Sequence, residues 1–427
     1  MKNPEQSPPQ HWAVRFFTIF TGQTISLFGS SLVQFALIWY LTQKTGSATV
    51  LATASLFAML PQILLGPIAG TFVDRGNRRL IMIASDSLIA VSTLGLAFLF
   101  WTGRAEIWHI YAISVIRSLG GAFHYPAMAA STTLMVPKEQ LARVSGANQA
   151  VQGLVNILAP PAAAFLVALM DTENILLIDV FTALAGIFPL LVFAVPQPPR
   201  SVSQEAARPK SFLSDLGAGF KYMVSWPGLL MLGLMATLLN FLLAPTGALM
   251  PLLVTQHFGK GALELGGIES AFGIGMIVGG VALGVWGGFK RKIVTSLMGI
   301  VTFSLAIIAI AVAPPDMFWI LVAAQAVIGL MLPMANGPLG ALFQTVVEPE
   351  MQGRVMSLLG SVAQAMMPLS LLAAGPIADR LGLQAWFWIA GIACALISLG
   401  GFFIPAIYNI EENHHSKQPQ AGTVPAA

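Results

Sequence analysis

Long apolar runs recur along the whole chain, and short polar segments separate them. A helix that crosses a bilayer needs about 20 mostly apolar residues, and lipid allows only helices or closed barrels to span it. These runs are too long for barrel strands, which cross in about ten residues. The pattern predicts an all-α membrane protein with twelve transmembrane helices, at residues 15–41, 48–73, 79–102, 107–135, 143–169, 175–196, 228–256, 265–289, 293–313, 317–346, 355–378 and 385–408.

One polar segment is longer than the others and divides the twelve spans into six and six. It is rich in Pro, Ser and charged residues, which is typical of a linker. We therefore predict an N-terminal six-helix bundle at 1–196, a cytoplasmic linker at 197–227, a C-terminal six-helix bundle at 228–408 and a polar cytoplasmic tail at 409–427.

The composition agrees with a membrane protein. Only 9% of residues are charged and 56% are hydrophobic, whereas soluble domains carry roughly a quarter charged residues. The net charge of +3 does not indicate a nucleic-acid partner, because the basic residues lie between apolar runs and form no basic stripe. The single cysteine, Cys394, lies in an apolar segment, so we expect a core residue and no metal site or disulfide framework.

The distribution of Lys and Arg predicts the topology. Cytoplasmic loops collect these residues, and a cytoplasmic N-terminus places 16 of the 21 inside and four outside, with Arg117 within the membrane. The polar N-terminus lacks the cleavage site of a secretory signal, so the first span is expected to remain. We predict a multi-pass protein of a bacterial-type inner (plasma) membrane with both termini in the cytoplasm.

The two halves of the chain resemble each other. With a shift of about 212 residues, GPIAGTFVDRGNRR (66–79) aligns with GVALGVWGGFKRK (280–292), and PKEQLAR (137–143) aligns with PEMQGR (349–354). Internal repeats of this kind are typical of transporters that bind substrate between two bundles. The alignment predicts two similar six-helix bundles with a site between them.

The loop GTFVDRGNRR (70–79) resembles the signature G-x-x-x-D-R-x-x-R-R of the major facilitator superfamily, whose members have twelve spans in two halves. The pair Ser85–Asp86, the stretch FHYPAM (123–128) and the stretch VEPEMQGRV (347–355) resemble its macrolide-efflux-like branch, which also contains siderophore exporters. The resemblance implies the major facilitator fold and a drug/proton antiporter that needs no cofactor.

The resemblance also implies a conformational latch in the signature loop. Small residues four apart let helices approach closely, an aspartate can cap a neighbouring helix, and arginines can pair with acids at the cytoplasmic rim. The alternative is that the arginines only determine topology. The predicted latch residues are Gly66, Gly70, Asp74, Arg75, Arg78 and Arg79.

Ionisable residues within the spans are the candidates for proton coupling, because each costs about 2.5 to 3.5 kcal/mol to insert. The stretch RSLGG, which begins at Arg117, resembles a superfamily feature associated with coupling, in which the arginine holds a carboxylate. The alternative is a structural ion pair. The predicted coupling residues are Asp86, Arg117, Asp179 and Glu269.

The three carboxylates also allow other interpretations. If they face the cavity, they can carry a proton or attract a cationic amine. Alternatively, Asp86 can bond the loop arginines. Asp179 and Glu269 can instead lie at the solvated membrane surface. The antiporter motif of the fifth span is incomplete, because Val155 and Ala159 occupy its glycine positions. Proton coupling is therefore an expectation that this motif does not support.

Polar residues within apolar helices predict the substrate pocket, although each can instead form an interhelical hydrogen bond, and His124 can instead cap backbone freed by Pro126. Sparse polar groups in an apolar cavity suit a bulky amphipathic molecule. The predicted substrate-binding residues are Gln23, Gln34, His124, Asn148, Gln152, Asn156, Asn240, Asn336 and Gln364.

No dinucleotide or ATP-binding motif is present, so we predict no enzyme. The predicted function is secondary active export of amphipathic, macrolide-like compounds by proton antiport and alternating access, by a monomer without cofactor or metal. A siderophore exporter, a lysolipid transporter and a non-transporting sensor or scaffold are the alternatives.

Overall fold

A computed structural model describes residues 12–197 and 212–411, and helices are the regular structure of these residues, with no strand among them. The helices are α1 Trp12–Thr45, α2 Ala48–Arg75, α3 Arg78–Trp101, α4 Ile107–Met135, α5 Leu141–Leu169, α6 Thr172–Val192, α7 Phe212–Val224, α8 Pro227–Leu252, α9 Ala262–Trp286, α10 Lys292–Val312, α11 Phe318–Val346, α12 Pro349–Leu381, α13 Leu383–Phe403 and α14 Pro405–Tyr408. A 3₁₀ turn at Lys138–Gln140 precedes α5, and a π turn at Leu253–His257 follows α8.

Several helices begin where the sequence supplies a cap. The side chain of Ser47 accepts a hydrogen bond from the backbone of Val50 at the start of α2, and Asn77 accepts one from Leu80 at the start of α3. Such residues satisfy backbone N–H groups that a helix leaves unpaired. Pro349 lies in the first turn of α12, where its missing N–H costs nothing. The sequence thus marks where these helices begin.

Among the described residues, eleven helices are long and apolar enough to cross a membrane. The remaining long helix, α4, has 29 residues but carries His109, Arg117 and His124, which make it less apolar. Large apolar side chains such as Phe98 and Phe181 are exposed, and lipid-facing surfaces need such residues. The single cysteine, Cys394, is fully buried and unpaired, as expected for a core residue.

The chain divides into two compact units, and the first consists of Met1–Val202 and Ala248–Ser270. Within it α1 packs against α5 and α6, α4 packs against α2 and α3, and α3 packs against α6. The segment at 248–270 is held by two side chains. Gln256 Nε2 donates to the carbonyl of Gly46 at 2.7 Å, and Ser270 Oγ donates to the carbonyl of Ile157 at 3.3 Å.

The second unit consists of Ser203–Gly247 and Ala271–Ala427. In it α10 packs against α11 and α13, and α12 packs against α7 and α13. Trp386 Nε1 donates to the carbonyl of Leu242 at 3.1 Å. The backbone N–H of Glu348 donates to the hydroxyl of Tyr222, which fixes the end of α7 near the start of α12.

The segment predicted as a linker, 197–227, contains α7, a helix the sequence analysis does not anticipate. Residues 198–211 of this linker and residues 412–427 of the predicted tail lie outside the described residues.

Candidate functional site

The first unit contains a group of buried polar side chains where four helices meet. The approach of α3 and α4 depends on Gly120, since a Cβ there would lie 2.8 Å from Ile89 Cγ1 and 3.3 Å from the carbonyl of Ser85. A larger residue would have to displace the side chain of Ile89 or move α4 away from α3. The glycine that follows Arg117 in the sequence therefore brings the polar faces of the two helices together.

One set of these side chains surrounds Asp179, and we call Ser30, Thr93, Arg117 and Asp179 the Asp179 layer. Asp179 is fully buried and accepts three hydrogen bonds, from Ser30 Oγ (3.0 Å), Thr93 Oγ1 (3.3 Å) and Arg117 Nη1 (2.5 Å). Arg117 also donates to Thr93 Oγ1 at 2.6 Å and to the carbonyl of Ser30 at 3.3 Å. The layer is a closed network in which the carboxylate neutralises the guanidinium.

A second set surrounds Asp86, and we call Gln23, Asp86 and His124 the Asp86 layer. Gln23 Nε2 donates to Asp86 Oδ2 at 3.0 Å and to the carbonyl of Gly186 at 3.1 Å. His124 Nε2 lies 3.3 Å from Asp86 Oδ1 but is not aligned with it as a hydrogen bond. The carboxylate therefore has one aligned donor and one ionisable neighbour, and the layer is less completely bonded than the Asp179 layer.

The two layers are related by a seven-residue spacing in each helix. The pairs are Gln23 and Ser30 in α1, Asp86 and Thr93 in α3, Arg117 and His124 in α4, and Asp179 and Gly186 in α6. Seven residues are nearly two turns, so each pair lies on one helix face about 10 Å apart along the axis. Four helices thus present two polar rings one above the other.

A cavity of about 770 Å³ in the first unit opens beside these layers. Asp86, His124 and Gln23 line it, and Arg117 and Ser30 reach it from the Asp179 layer. Asp179 itself is 0% exposed and lies behind Arg117. The volume is in the range of about 300 to 1,000 Å³ typical of small-molecule sites.

The structure distinguishes the ionisable residues that the sequence groups together. The carboxylate held by Arg117 is Asp179, and its buried position shows that a solvated surface location is wrong for this residue. Asp86 is bonded by Gln23 and contacts His124, so the bond to the loop arginines that the sequence allows is also wrong. Glu269 is half-buried in α9. Removing one partner from a buried ion pair costs about 3 to 5 kcal/mol, which makes Arg117 and Asp179 interdependent.

The predicted substrate-binding residues divide into two groups. Gln23, Gln34, His124, Asn148 and Gln152 line the cavity. The lining does not include Asn156, which is exposed on α5, or three exposed residues of the second unit, Asn240, Asn336 and Gln364. His124 contacts Asp86, and no hydrogen bond from it to backbone freed by Pro126 is present among the described residues.

The signature loop is held mainly by backbone carbonyls of its own unit. Arg78 Nη1 donates to the carbonyl of Ala130 near the end of α4 at 2.8 Å, and Arg79 donates to the carbonyls of Leu190 and Leu191 near the end of α6. Both arginines thus place positive charge at helix C-termini, where it is favourable.

The remaining predicted latch residues are more open. Asp74 is 73% exposed in its side chain, with its carboxylate 3.7 Å from Arg78, and Arg75 is exposed. A Cβ at Gly66 or Gly70 would meet no described atom within 4 Å, so neither glycine marks a close helix approach within its unit. The latch remains a prediction.

Two residues of the site were not predicted, Ser30 and Thr93. Their signal was the seven-residue spacing from Gln23 and Asp86, which the sequence shows once the face of each helix is known. Val155 and Ala159, which replace the motif glycines of the fifth span, are buried in a cluster with Leu32 and Ala36 of α1. The incomplete motif therefore serves helix packing between α1 and α5.

The sequence and the fold can be compared with those of known proteins. A sequence profile of the Major Facilitator Superfamily matches residues 19–287 and 232–426. The chain belongs to this superfamily, which confirms the predicted fold class, and it is a multi-pass membrane transporter and not an enzyme.

Individual relatives resemble nearly the whole chain. Macrolide efflux protein A of Streptococcus pyogenes is 34% identical over 389 residues, covering 91% of this chain and 95% of that protein. Multidrug efflux pump Tap of Mycobacterium tuberculosis is 26% identical over 395 residues, covering 90% and 91%. A solved POT family transporter in complex with 5-aminolevulinic acid superposes with a TM-score of 0.71 at 12% identity, over 95% of this chain and 98% of that one, and this likeness supports the fold alone.

Proposed function

We propose that this transporter exports bulky amphipathic compounds of the macrolide type by proton antiport and alternating access. The observation that carries the proposal is the cavity of about 770 Å³ beside the Asp86 layer, which places a carboxylate and an imidazole where a substrate can reach them. The name of the macrolide efflux relative supports the same substrate class, and the name of the multidrug efflux relative supports the export of drugs.

The charges around the cavity favour a neutral or cationic substrate over an anionic one. The permanent cation in the cavity wall, Arg117, is already neutralised by Asp179. Apolar and aromatic side chains such as Phe16, Phe20 and Met128 share the wall with Asn148 and Gln152. Such a surface suits a large apolar body with few polar groups. A siderophore or a lysolipid headgroup would need more basic partners.

Proton antiport can be tested in inverted membrane vesicles. Labelled erythromycin, an amine-bearing macrolide, would be added to vesicles with an imposed proton gradient, and a pH-sensitive dye would report the pH of the interior. A siderophore and a lysolipid would be tested in the same way as alternative substrates. We expect gradient-dependent accumulation of the macrolide and substrate-dependent proton release. Movement of the siderophore or lysolipid, but not of the macrolide, would identify one of the alternative transporters. A protein that moves no compound would support the sensor or scaffold.

A first prediction locates the substrate in the cavity. Asn148→Ala should raise the KM for the macrolide about two- to tenfold, which corresponds to one lost hydrogen bond of about 0.5 to 1.5 kcal/mol. Asn156→Ala is the matched control, because Asn156 lies on the same helix but outside the cavity lining. Equal effects of the two substitutions on KM, measured in vesicles with equal protein, would contradict this location.

A further inference from the structure

The two polar layers differ in how a proton could reach and leave them. We infer that Asp86 and His124 together form the exchangeable proton site of this transporter, whereas Arg117 and Asp179 stay paired and keep the four helices in register. The inference rests on the proposed proton antiport and assigns it to particular groups.

Geometry argues against exchange at Asp179. Its two carboxylate oxygens accept three hydrogen bonds, and the residue is 0% exposed. A proton arriving there would displace at least one donor and leave the guanidinium of Arg117, which cannot release a proton, without its counter-ion. The pair is therefore built to remain ionised and closed.

Geometry favours exchange at the Asp86 layer. Asp86 and His124 both line the cavity, and a single aligned hydrogen bond, from Gln23, holds the carboxylate. His124 Nε2 lies 3.3 Å from Asp86 Oδ1 and has no hydrogen-bond partner among the described residues. A small rotation of either side chain would align the two atoms. Imidazole is also the side chain that changes charge between about pH 5 and pH 8.

The charges of the whole group give the exchange a physical consequence. The ionisable groups of the two layers and of the cavity wall beside them are Asp86 from α3, His124, Arg117 and Tyr125 from α4 and Asp179 from α6, while α1 contributes the neutral Gln23. With an imidazolium at His124 and a neutral phenol, the charges of the two layers cancel. Loss of one proton to water leaves a net charge of −1 beside the cavity, and no other bond is made or broken.

This alternation selects the substrate class. The group with net charge −1 attracts an amphipathic cation such as a protonated tertiary amine, and the neutral group does not. Proton and cation thereby compete for one region of the wall, so that one can bind only after the other leaves. When neither the proton nor the cation is bound, the group carries an unpaired charge. The cost of burying this charge in the membrane disfavours a conformational change in that state.

The first test compares charge removal in the two layers. The variants are His124→Gln and Asp86→Asn in one layer and the double variant Arg117→Gln with Asp179→Asn in the other, each checked by size-exclusion chromatography. In inverted vesicles we expect both Asp86-layer variants to lose substrate-dependent proton release at least tenfold. His124→Gln keeps the net charge of −1 that attracts the cation, so it should retain exchange of labelled for unlabelled erythromycin, which requires no net proton movement. Asp86→Asn removes that charge, so its erythromycin exchange should weaken together with its proton release. The double variant should retain proton release at a stoichiometry close to that of the wild type.

Either of two results would overturn the assignment. One is proton release at the wild-type level in His124→Gln or Asp86→Asn. The other is loss of proton release in the double variant while erythromycin exchange continues. The proposed antiport fails separately if the wild type itself exchanges erythromycin but moves no proton with it. A double variant that does not fold would be replaced by Ser30→Ala and Thr93→Val, which weaken the Asp179 layer without removing charge.

A second test measures erythromycin binding to the purified protein against pH. Because a proton competes with the cation, raising the pH from 5.5 to 8 should tighten binding, with the Kd falling by at most about tenfold per pH unit for one proton. His124→Gln should flatten this dependence, and a macrolide without a basic amine should show little of it. An unchanged pH profile in His124→Gln would contradict the role of the imidazole.

Discussion

At the scale of single residues, the site depends on which carboxylate each cation contacts. Arg117 and His124 lie two turns apart on α4, yet one is in a closed ion pair with Asp179 and the other is loosely apposed to Asp86. The identity of the residues and their spacing are visible in the sequence, whereas the pairing depends on the rotation of α3 and α6 about their axes. The permanently charged Arg117 and the ionisable His124 therefore have different surroundings, and we infer different functions for them.

The closed ion pair predicts an unusual stability pattern. Arg117→Met or Asp179→Leu alone should lower the free energy of unfolding by about 3 to 5 kcal/mol, because each leaves a buried charge without its partner. The double variant should be nearly as stable as the wild type, since two apolar groups of similar volume remove both charges. Thermal unfolding of the purified protein in detergent measures the difference. A double variant as unstable as the sum of the single ones would contradict the pairing.

The sequence predicts part of this site. The four ionisable residues and Gln23 are recognisable because polar groups at membrane depth need a reason. Ser30 and Thr93 are not, because hydroxyl residues are common in transmembrane helices and also bond their own backbone. Which carboxylate is fully bonded and which one lines the cavity depends on how four helices pack together. No local sequence pattern contains that information.

At the scale of helices, apolar length locates the spans well and their ends less well. The predicted spans at 107–135 and 317–346 agree closely with Ile107–Met135 and Phe318–Val346. The predicted span at 355–378 corresponds to the longer helix Pro349–Leu381. Hydropathy marks only the apolar part of a helix, whereas hydrogen bonding continues into the polar residues beyond it. The helix α7 was missed because it lies in a polar, Pro- and Ser-containing segment.

Close packing of α1 on α6 predicts a position-specific effect of glycine. A Cβ at Gly29 would overlap the side chain of Thr182, whereas a Cβ at Gly95 on α3 would meet no described atom within 4 Å. Gly29→Ala should therefore lower the free energy of unfolding by about 1 to 3 kcal/mol. The matched Gly95→Ala should be neutral or raise it by up to about 1 kcal/mol. Thermal unfolding of both variants tests this, and equal stabilities would show that α1 does not depend on Gly29.

The arginines of the signature loop predict a contrast of the same kind. Arg79→Ala removes the contacts to the carbonyls of Leu190 and Leu191 and should cost about 1 to 2 kcal/mol. Arg75→Ala removes an exposed residue and should change stability by less than about 0.5 kcal/mol. If Arg75→Ala is stable but transports poorly, the result supports the latch implied by the family signature. If Arg75→Ala transports normally, Arg75 has no latch function.

At the scale of the whole molecule, the amino-acid pattern and the comparisons agree on the architecture. Twelve spans, a sparse set of buried charges and a repeated basic loop predict a transporter of the major facilitator type, and the profile match over both parts of the chain confirms the family. The substrate is less predictable, because a cavity of mostly apolar lining accepts many molecules of similar size. The two units are internally packed, and the candidate site lies within the first of them.

The topology makes a prediction that the single cysteine allows to be tested cleanly. With 16 of the 21 Lys and Arg on one side, both termini should be cytoplasmic, the turn after α2 should be inside and the turn after α3 outside. Cys394 is fully buried, so Cys394→Ala provides a background without thiols. In that background Arg104→Cys should react with a membrane-impermeant maleimide in intact cells, because Arg104 is exposed in the turn that follows α3. Asn77→Cys, which is exposed in the turn that follows α2, should react only after the membrane is permeabilised. The reverse labelling pattern would place both termini outside. It would also show that the basic loops do not determine the orientation of this protein.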